Sequence, residues 1–131
     1  MLTQNISMKK LFTYVIIIIL SSSFSYSSVK DVVNALKSGN AALVSKYFDN
    51  TIDITLSDKS NSYSRSQAEL VLKDFFNTNG VTNFNVIHTG DNAGSQYCIG
   101  TLQTKNGTFR TTIYMKQKGD KQVLQELKFE K

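Results

Sequence analysis

Val29, Val32, Val33 and Leu36 recur three and four residues apart, the spacing that gathers apolar side chains on one face of a helix. Ser28, with Asp31 three residues on, resembles a capping box at its start, although Glu or Gln is the usual partner, and Gly39 ends it. Asn40 can cap a second, short helix whose buried face is Leu43, Val44, Tyr47 and Phe48. A third helix follows from Ser66 and Glu69, a capping box that precedes Ala68, Val71, Leu72, Phe75 and Phe76, with Asn79-Gly80 as the stop. Between the second and third helices the period changes to two. Ile52, Ile54 and Leu56 alternate with Asp53 and Thr55 as a strand does, and a short strand is expected near Ser62 to Ser64.

From Val81 onward the period remains two, and the turns set the register. Asn106-Gly107 predicts a two-residue type I′ hairpin in which Lys105 pairs with Thr108. Leu102 then faces Thr111, Gly100 faces Ile113 and Cys98 faces Met115, all on one side of the sheet. A three-residue loop at Lys118-Gly119-Asp120 places Ile113 opposite Gln125, Thr111 opposite Leu127 and Phe109 opposite Phe129. This side is apolar and can receive the helices. On the opposite side the same registers set Ile99, Tyr114 and Leu124 side by side, with Tyr97 one step away. A contiguous apolar row on a polar sheet points to a covered surface, so these four residues are the expected interface for a second copy or another protein. Arg110 shares that side, opposite Lys128 and diagonal to Glu126 and Glu130, where it offsets the carboxylates.

Helix, helix, strand, short strand, helix and four antiparallel strands make an α+β domain of helices packed on a curved antiparallel sheet. That order resembles the nuclear transport factor 2-like fold, a cystatin-like cone. Four stretches, YSRSQAELVLKDFF (Tyr63 to Phe76), HTG (His88 to Gly90), YCIGTLQT (Tyr97 to Thr104) and NGTFR (Asn106 to Arg110), resemble a small family of secreted bacterial proteins without an assigned function. The resemblance spans essentially the whole chain after the first 27 residues. It implies a cone whose wide, open end is a candidate pocket, because ketosteroid isomerase-like and dehydratase-like members of the fold work there with an Asp or His base. It supplies no residues for such a role.

His88 is the single histidine and the one candidate base, and its position hangs on an unsettled register. Pairing Gly90 with Ser95 puts His88 opposite Tyr97 and Val86 opposite Ile99 on the open side, whereas pairing Gly90 with Gln96 turns His88 inward, opposite Cys98. The second is favoured, since inward Phe84 and Val86 fill a core better than Asn85 and Thr89 would. The expected pocket lining is therefore Phe84, Val86 and His88, joined by Tyr47 and Tyr63. A general base needs a partner, most naturally a carboxylate, and neither Asp53 nor Asp91 is well placed for it.

The first 27 residues read as a signal peptide. Lys9 and Lys10 precede LFTYVIIIIL, serine-rich sequence follows, and translation starting at Met8 fits the layout as well as Met1 does. The apolar run is about half the roughly 20 residues that span a bilayer, so it predicts export to the periplasm or beyond rather than a stable membrane anchor. Ser23 with Ser25, or Ser25 with Ser27, suits a signal peptidase. No cysteine follows the run directly, which excludes a lipid anchor of the bacterial lipoprotein kind. Loss of the leader leaves one domain, residues 28–131, with one cysteine and no internal disulfide. Its formal charge falls from +5 to +3 as Lys9 and Lys10 are lost.

These counts narrow the chemistry. One His and one Cys cannot make a zinc site, and neither a phosphate-binding glycine loop nor a nucleophile elbow is present, so no metal or cofactor is expected. Basic and aromatic residues interleave in FRTTIYMKQK, but alternation along a strand explains the run, and an exported protein rarely meets nucleic acid. The sequence favours an exported binding domain that takes a small apolar ligand in the cone or a protein on the open sheet face. The other reading is a pocket enzyme of isomerase, dehydratase or hydrolase type with His88 as base.

Overall fold

The computed structural model describes residues 28–131. The expected leader, with its start at Met1 or Met8, lies outside them. The elements are α1 (Val29–Ser38), α2 (Ala41–Ser45), β1 (Phe48–Leu56), β2 (Lys59–Ser64), α3 (Arg65–Asn79), β3 (Val81–Asn92), β4 (Ser95–Thr104), β5 (Gly107–Lys118) and β6 (Lys121–Glu130). The six strands form one sheet in the order β2-β1-β6-β5-β4-β3. β1 runs parallel to β6, and every other neighbouring pair is antiparallel. The mixed sheet curves around the helices, as the α+β cone reading expects.

Helix ends follow side-chain chemistry. The Ser28 backbone N–H and hydroxyl both donate to Asp31 Oδ2, at 3.0 and 3.3 Å, while Gly39 closes α1 in the left-handed conformation at φ 65. Asn40 Oδ1 accepts from the Ala42 and Leu43 N–H groups at 3.0 and 3.3 Å and so starts α2. That helix is shorter than expected. Ala41, Val44 and Ser45 are its buried residues, Leu43 is exposed, and Phe48 already belongs to β1. α3 begins earlier than Ser66. Its cap is Ser64, whose hydroxyl accepts from Gln67 N while Gln67 Oε1 accepts from Ser64 N, both at 3.4 Å. Two overlapping box patterns compete here. The upstream one wins because β2 runs to Ser64 and the chain must turn into the helix at once, which frees Glu69 to reach Ser45 Oγ at 2.5 Å.

The core lies between α1, α2, α3 and the inner sheet face. Val32, Leu36, Val44, Ala68, Leu72, Ile113, Leu127 and Phe129 are fully buried in it. Phe75 of α3 stacks on Phe129 with ring centroids 4.8 Å apart and meets Phe109 edge-on at 5.1 Å, so aromatic rings fill the space between α3 and the sheet.

The predicted registers are corrected, while most of the predicted faces stand. Thr104 pairs with Gly107, and Leu102 with Phe109, two residues from the expected pairing. Asn106 does not adopt the positive φ that a type I′ turn demands of it. Gly107 alone does so at that bend, with φ 109, and the chain turns through Lys105 and Asn106 instead. A shift of two keeps every side chain on its own face, because the strand period is two. At the next hairpin Lys118 pairs with Lys121 across Gly119-Asp120, again away from the expected register. Met115 then faces Leu124, whereas Tyr114 faces Glu126, and Gln125 is the extra residue of a β-bulge. That bulge turns Leu124 inward. Leu124 is completely buried, and its expected place on the open face is overturned.

A second bulge decides the histidine. Phe84 faces Leu102 and Val86 faces Gly100, but His88 faces Ile99, leaving Ile87 unpaired. The favoured register forms from Asn83 to Val86 and is lost at Ile87, so that Gly90 pairs with Tyr97 rather than with Ser95 or Gln96. The favoured inward position for His88 is overturned because one extra residue lets Phe84 enter the core while sending His88 to the outer face.

Candidate functional site

The pocket expected inside the cone is not gathered by the residues assigned to it. Phe84 is a core residue, 1% exposed, with its ring lying across Gly100, where any Cβ would collide with that ring and with the Asn85 carbonyl. Val86 shares its face but lies on the edge strand and is 49% exposed. Tyr47 and Tyr63 are half-buried against the core from the chain ahead of β1 and from β2. None of the five lines either of two surface clefts among the described residues.

One cleft, of about 330 Å³, opens where the start of α1 meets the β3–β4 hairpin, with Lys30, Asp91, Gln96 and Tyr97 on its walls. Gln96 Oε1 accepts the Val29 N–H at 3.1 Å there and satisfies one of the free donors of the helix end. The other, of about 490 Å³, is lined by Ser45, Asn50, Arg65 and Glu69 among others and lies where α2 meets the start of α3. Both are open to solvent, and in the second the Ser45 hydroxyl donates to Glu69.

On the outer sheet face the HTG stretch acquires a physical reason. Gly90 pairs with Tyr97, and the tyrosine ring occupies the space a Cβ at Gly90 would need. From there the Tyr97 hydroxyl reaches His88 Nε2 at 3.0 Å, with the two rings tilted at 5.6 Å between centroids. His88 is exposed, and this hydroxyl, not a carboxylate, is its hydrogen-bond partner. Tyr97 continues across the sheet to Tyr114, and Ile99 to Thr112. Tyr97, Ile99 and Tyr114 are each half-buried, so three of the four residues assigned to the open-face row form a contiguous patch, with His88 in place of Leu124.

The residue that sequence reasoning missed is Asp49. It is 6% exposed, yet it accepts from Lys118 Nζ at 2.8 and 2.9 Å, from Gln125 Nε2 at 3.1 Å and from the Asn50 N–H at 2.7 Å. The Lys118 ammonium, more than these other donors, holds its carboxyl below the ordinary carboxylate value against the opposing effect of burial. The cluster ties the start of β1 to the end of β5 and to the bulged residue of β6. Nothing in local spacing signals it, since its partners lie 69 and 76 residues away. Burial acts alone on Cys98, on the inner face of β4, and raises its thiol pKa.

No described helix is long and apolar enough to cross a membrane. Comparison with curated proteins finds no match. Among solved structures, a DUF4783 family protein from Bacteroides ovatus ATCC 8483 is 28% identical with a TM-score of 0.78, covering 82% of this chain and 97% of its own. A DUF4783 family protein from Bacteroides fragilis YCH46 is 33% identical with a TM-score of 0.75, covering 80% of this chain and 98% of its own. An NTF2-like protein of unknown function from Cytophaga hutchinsonii ATCC 33406 shares the fold at a TM-score of 0.60 with 8% identity, over 82% of this chain and 91% of its own. The fold is therefore nuclear transport factor 2-like. The model of the family described as "Domain of unknown function (DUF4783)" matches residues 29–130, and the chain belongs to that family.

Proposed function

We propose that this is an exported binding domain whose working surface is the outer face of the sheet at β3, β4 and β5, where it takes a protein partner. The observation that carries the reading is the patch of Tyr97, Ile99 and Tyr114, three large side chains left half-exposed side by side on a sheet whose other face holds the core. Aromatic residues are the side chains most enriched where interfaces bury their centres. The filled interior favours this face over a small apolar ligand inside the cone, since Phe75, Phe109 and Phe129 occupy the space such a ligand would take. Export rests on the leader pattern of residues 1–27.

A photo-reactive phenylalanine analogue placed at Tyr114, compared with one at the exposed Leu70 of α3, tests the surface in producing cells. Adducts are expected from position 114 and not from position 70. An absence of adducts at 114 and equally at 99 would remove this face as the working surface. The mass of the recovered protein reports export at the same time, and is expected to correspond to a chain beginning between residues 24 and 28.

A further inference from the structure

The chain has two Asn-Gly steps, Asn79-Gly80 and Asn106-Gly107, and the fold brings them together where α3 ends. Asn106 Nδ2 donates to the Thr78 carbonyl at 2.9 Å and approaches Asn79 Oδ1 at 3.5 Å. The Lys105 N–H donates to the carbonyls of Asn79 and Gly80, both at 3.0 Å. Carbonyls at the end of a helix have no partner within it, and here the β4–β5 bend supplies the donors. That bend is a clasp closing α3, and its side-chain donor is Asn106.

An asparagine followed by glycine is poorly protected, because glycine has no Cβ to keep its nitrogen away from the neighbouring carboxamide carbon. The Gly107 nitrogen, on losing its proton to solvent base, can attack Asn106 Cγ. A C–N bond forms, the Cγ–Nδ2 bond breaks, and Nδ2 departs as ammonia with a proton taken from solvent. Water then opens the five-membered imide at either carbonyl, leaving aspartate or isoaspartate with no change of oxidation state. The two Asn-Gly steps differ in what the attack must first undo. The Gly80 N–H is bonded to the Phe76 carbonyl at 2.8 Å and Asn79 Nδ2 to the Phe75 carbonyl at 2.9 Å, so both reacting groups are held in the helix end beside buried rings. Asn106 and Gly107 are exposed at a hairpin tip, where local opening costs least, and no atom lies within 4 Å of the place a Gly107 Cβ would take.

We propose that Asn106 is a self-modification site, where deamidation turns the donor of the clasp into a carboxylate and releases the β4–β5 bend from α3. An ionised carboxylate has no proton to give the Thr78 carbonyl. It also brings negative charge to the C-terminal end of a 15-residue helix, the negative end of the helix dipole. Lys131 Nζ, which donates to the Asn106 carbonyl at 3.3 Å, offers the new charge a partner outside α3. Loss of ammonia makes the step irreversible, so the state of the clasp records the age of the folded chain.

Peptide mapping by mass spectrometry of the purified protein, kept folded for days at mildly alkaline pH, reads the outcome. Asn106 is expected to lose its amide while Asn79 keeps its own. Asn106→Gln retains an amide donor but would have to close a larger ring, and is expected to stay unmodified. Asn106→Asp stands for the product, and in it the Lys105 N–H is expected to exchange with solvent about 10-fold faster than in the wild type, the order of one lost hydrogen bond. An Asn106 amide that stays intact while a short peptide of the same sequence deamidates overturns the site, and so does conversion of Asn79 ahead of it. Unchanged exchange at Lys105 in folded Asn106→Asp overturns the release of the clasp.

Discussion

The ring of Tyr97 lies over Gly90, its cross-strand partner, and uses that position to bring its hydroxyl within 3.0 Å of His88 Nε2. A glycine in a strand interior ordinarily weakens the strand, and here it makes room for an aromatic ring. Gly100 does the same on the inner face beneath Phe84. Gly90→Ala is therefore expected to destabilise the domain by about 1–3 kcal/mol through forced displacement of the ring. Tyr97→Phe, which keeps the ring and loses only an exposed hydrogen bond, is expected to cost less than about 1 kcal/mol. Urea unfolding of the two variants checks the order, and equal stability of Gly90→Ala and wild type would show that the ring does not rest there.

Asp49 makes the acid side of the stability curve testable. Its carboxyl is held below the ordinary value of 3.8, chiefly by Lys118. A group whose folded pKa is depressed contributes fully above its unfolded pKa, and that contribution fades as pH falls through the folded value. Asp49→Asn is expected to cost about 1–3 kcal/mol at neutral pH, much of it from the buried bonds to Asn50 and Gln125, because Lys118 is half-exposed. The difference between the variant and the wild type should narrow as pH falls below about 4 and through the depressed folded value, where the wild-type carboxylate is protonated. Urea midpoints at neutral and acid pH measure it.

Two hairpins make opposite predictions for positive φ. Ala93 and Gly94 form the two-residue loop between Asn92 and Ser95, at φ 35 and 89, so the type I′ requirement that both loop residues have positive φ falls on an alanine. Ala93→Asn is expected to stabilise the domain by about 0.5–1 kcal/mol, since Asn enters the left-handed region more readily. Gly107 has open space around it but sits at φ 109, and Gly107→Val is expected to destabilise through backbone strain alone. Thermal midpoints moving in opposite directions would bear out both.

Cys98 is fully buried, with its thiol pKa raised by burial alone. The thiolate is the reactive form, so alkylation in the native state is expected to be slow at neutral pH and to become rapid in denaturant. Labelling followed by mass spectrometry checks this. Fast native labelling would place β4 in a different register, with Cys98 outward.

Local chemistry was sufficient for the helices and for most inner-face assignments. Val32, Leu36, Leu72 and Phe76 face the core as their spacing requires, and Asn40 and Gly39 mark helix ends through bonds that side chain or backbone makes within a few residues. Cys98, Leu102, Phe109 and Ile113 are buried although their partners were misassigned, because a two-residue shift returns each strand to the same face. Tertiary structure decided what a single residue can invert. Ile87 and Gln125 are the extra residues of bulges, and each reverses the parity of its strand, putting His88 outside and Leu124 inside. Alternation reveals a face only while the period is unbroken, and where it breaks depends on the competing demands of distant partners: Phe84 must fit over Gly100 and Tyr97 over Gly90. The parallel pairing of β1 with β6 and the burial of Asp49 beneath Lys118 are of the same kind. Their partners are tens of residues apart, and only the folded sheet brings them together.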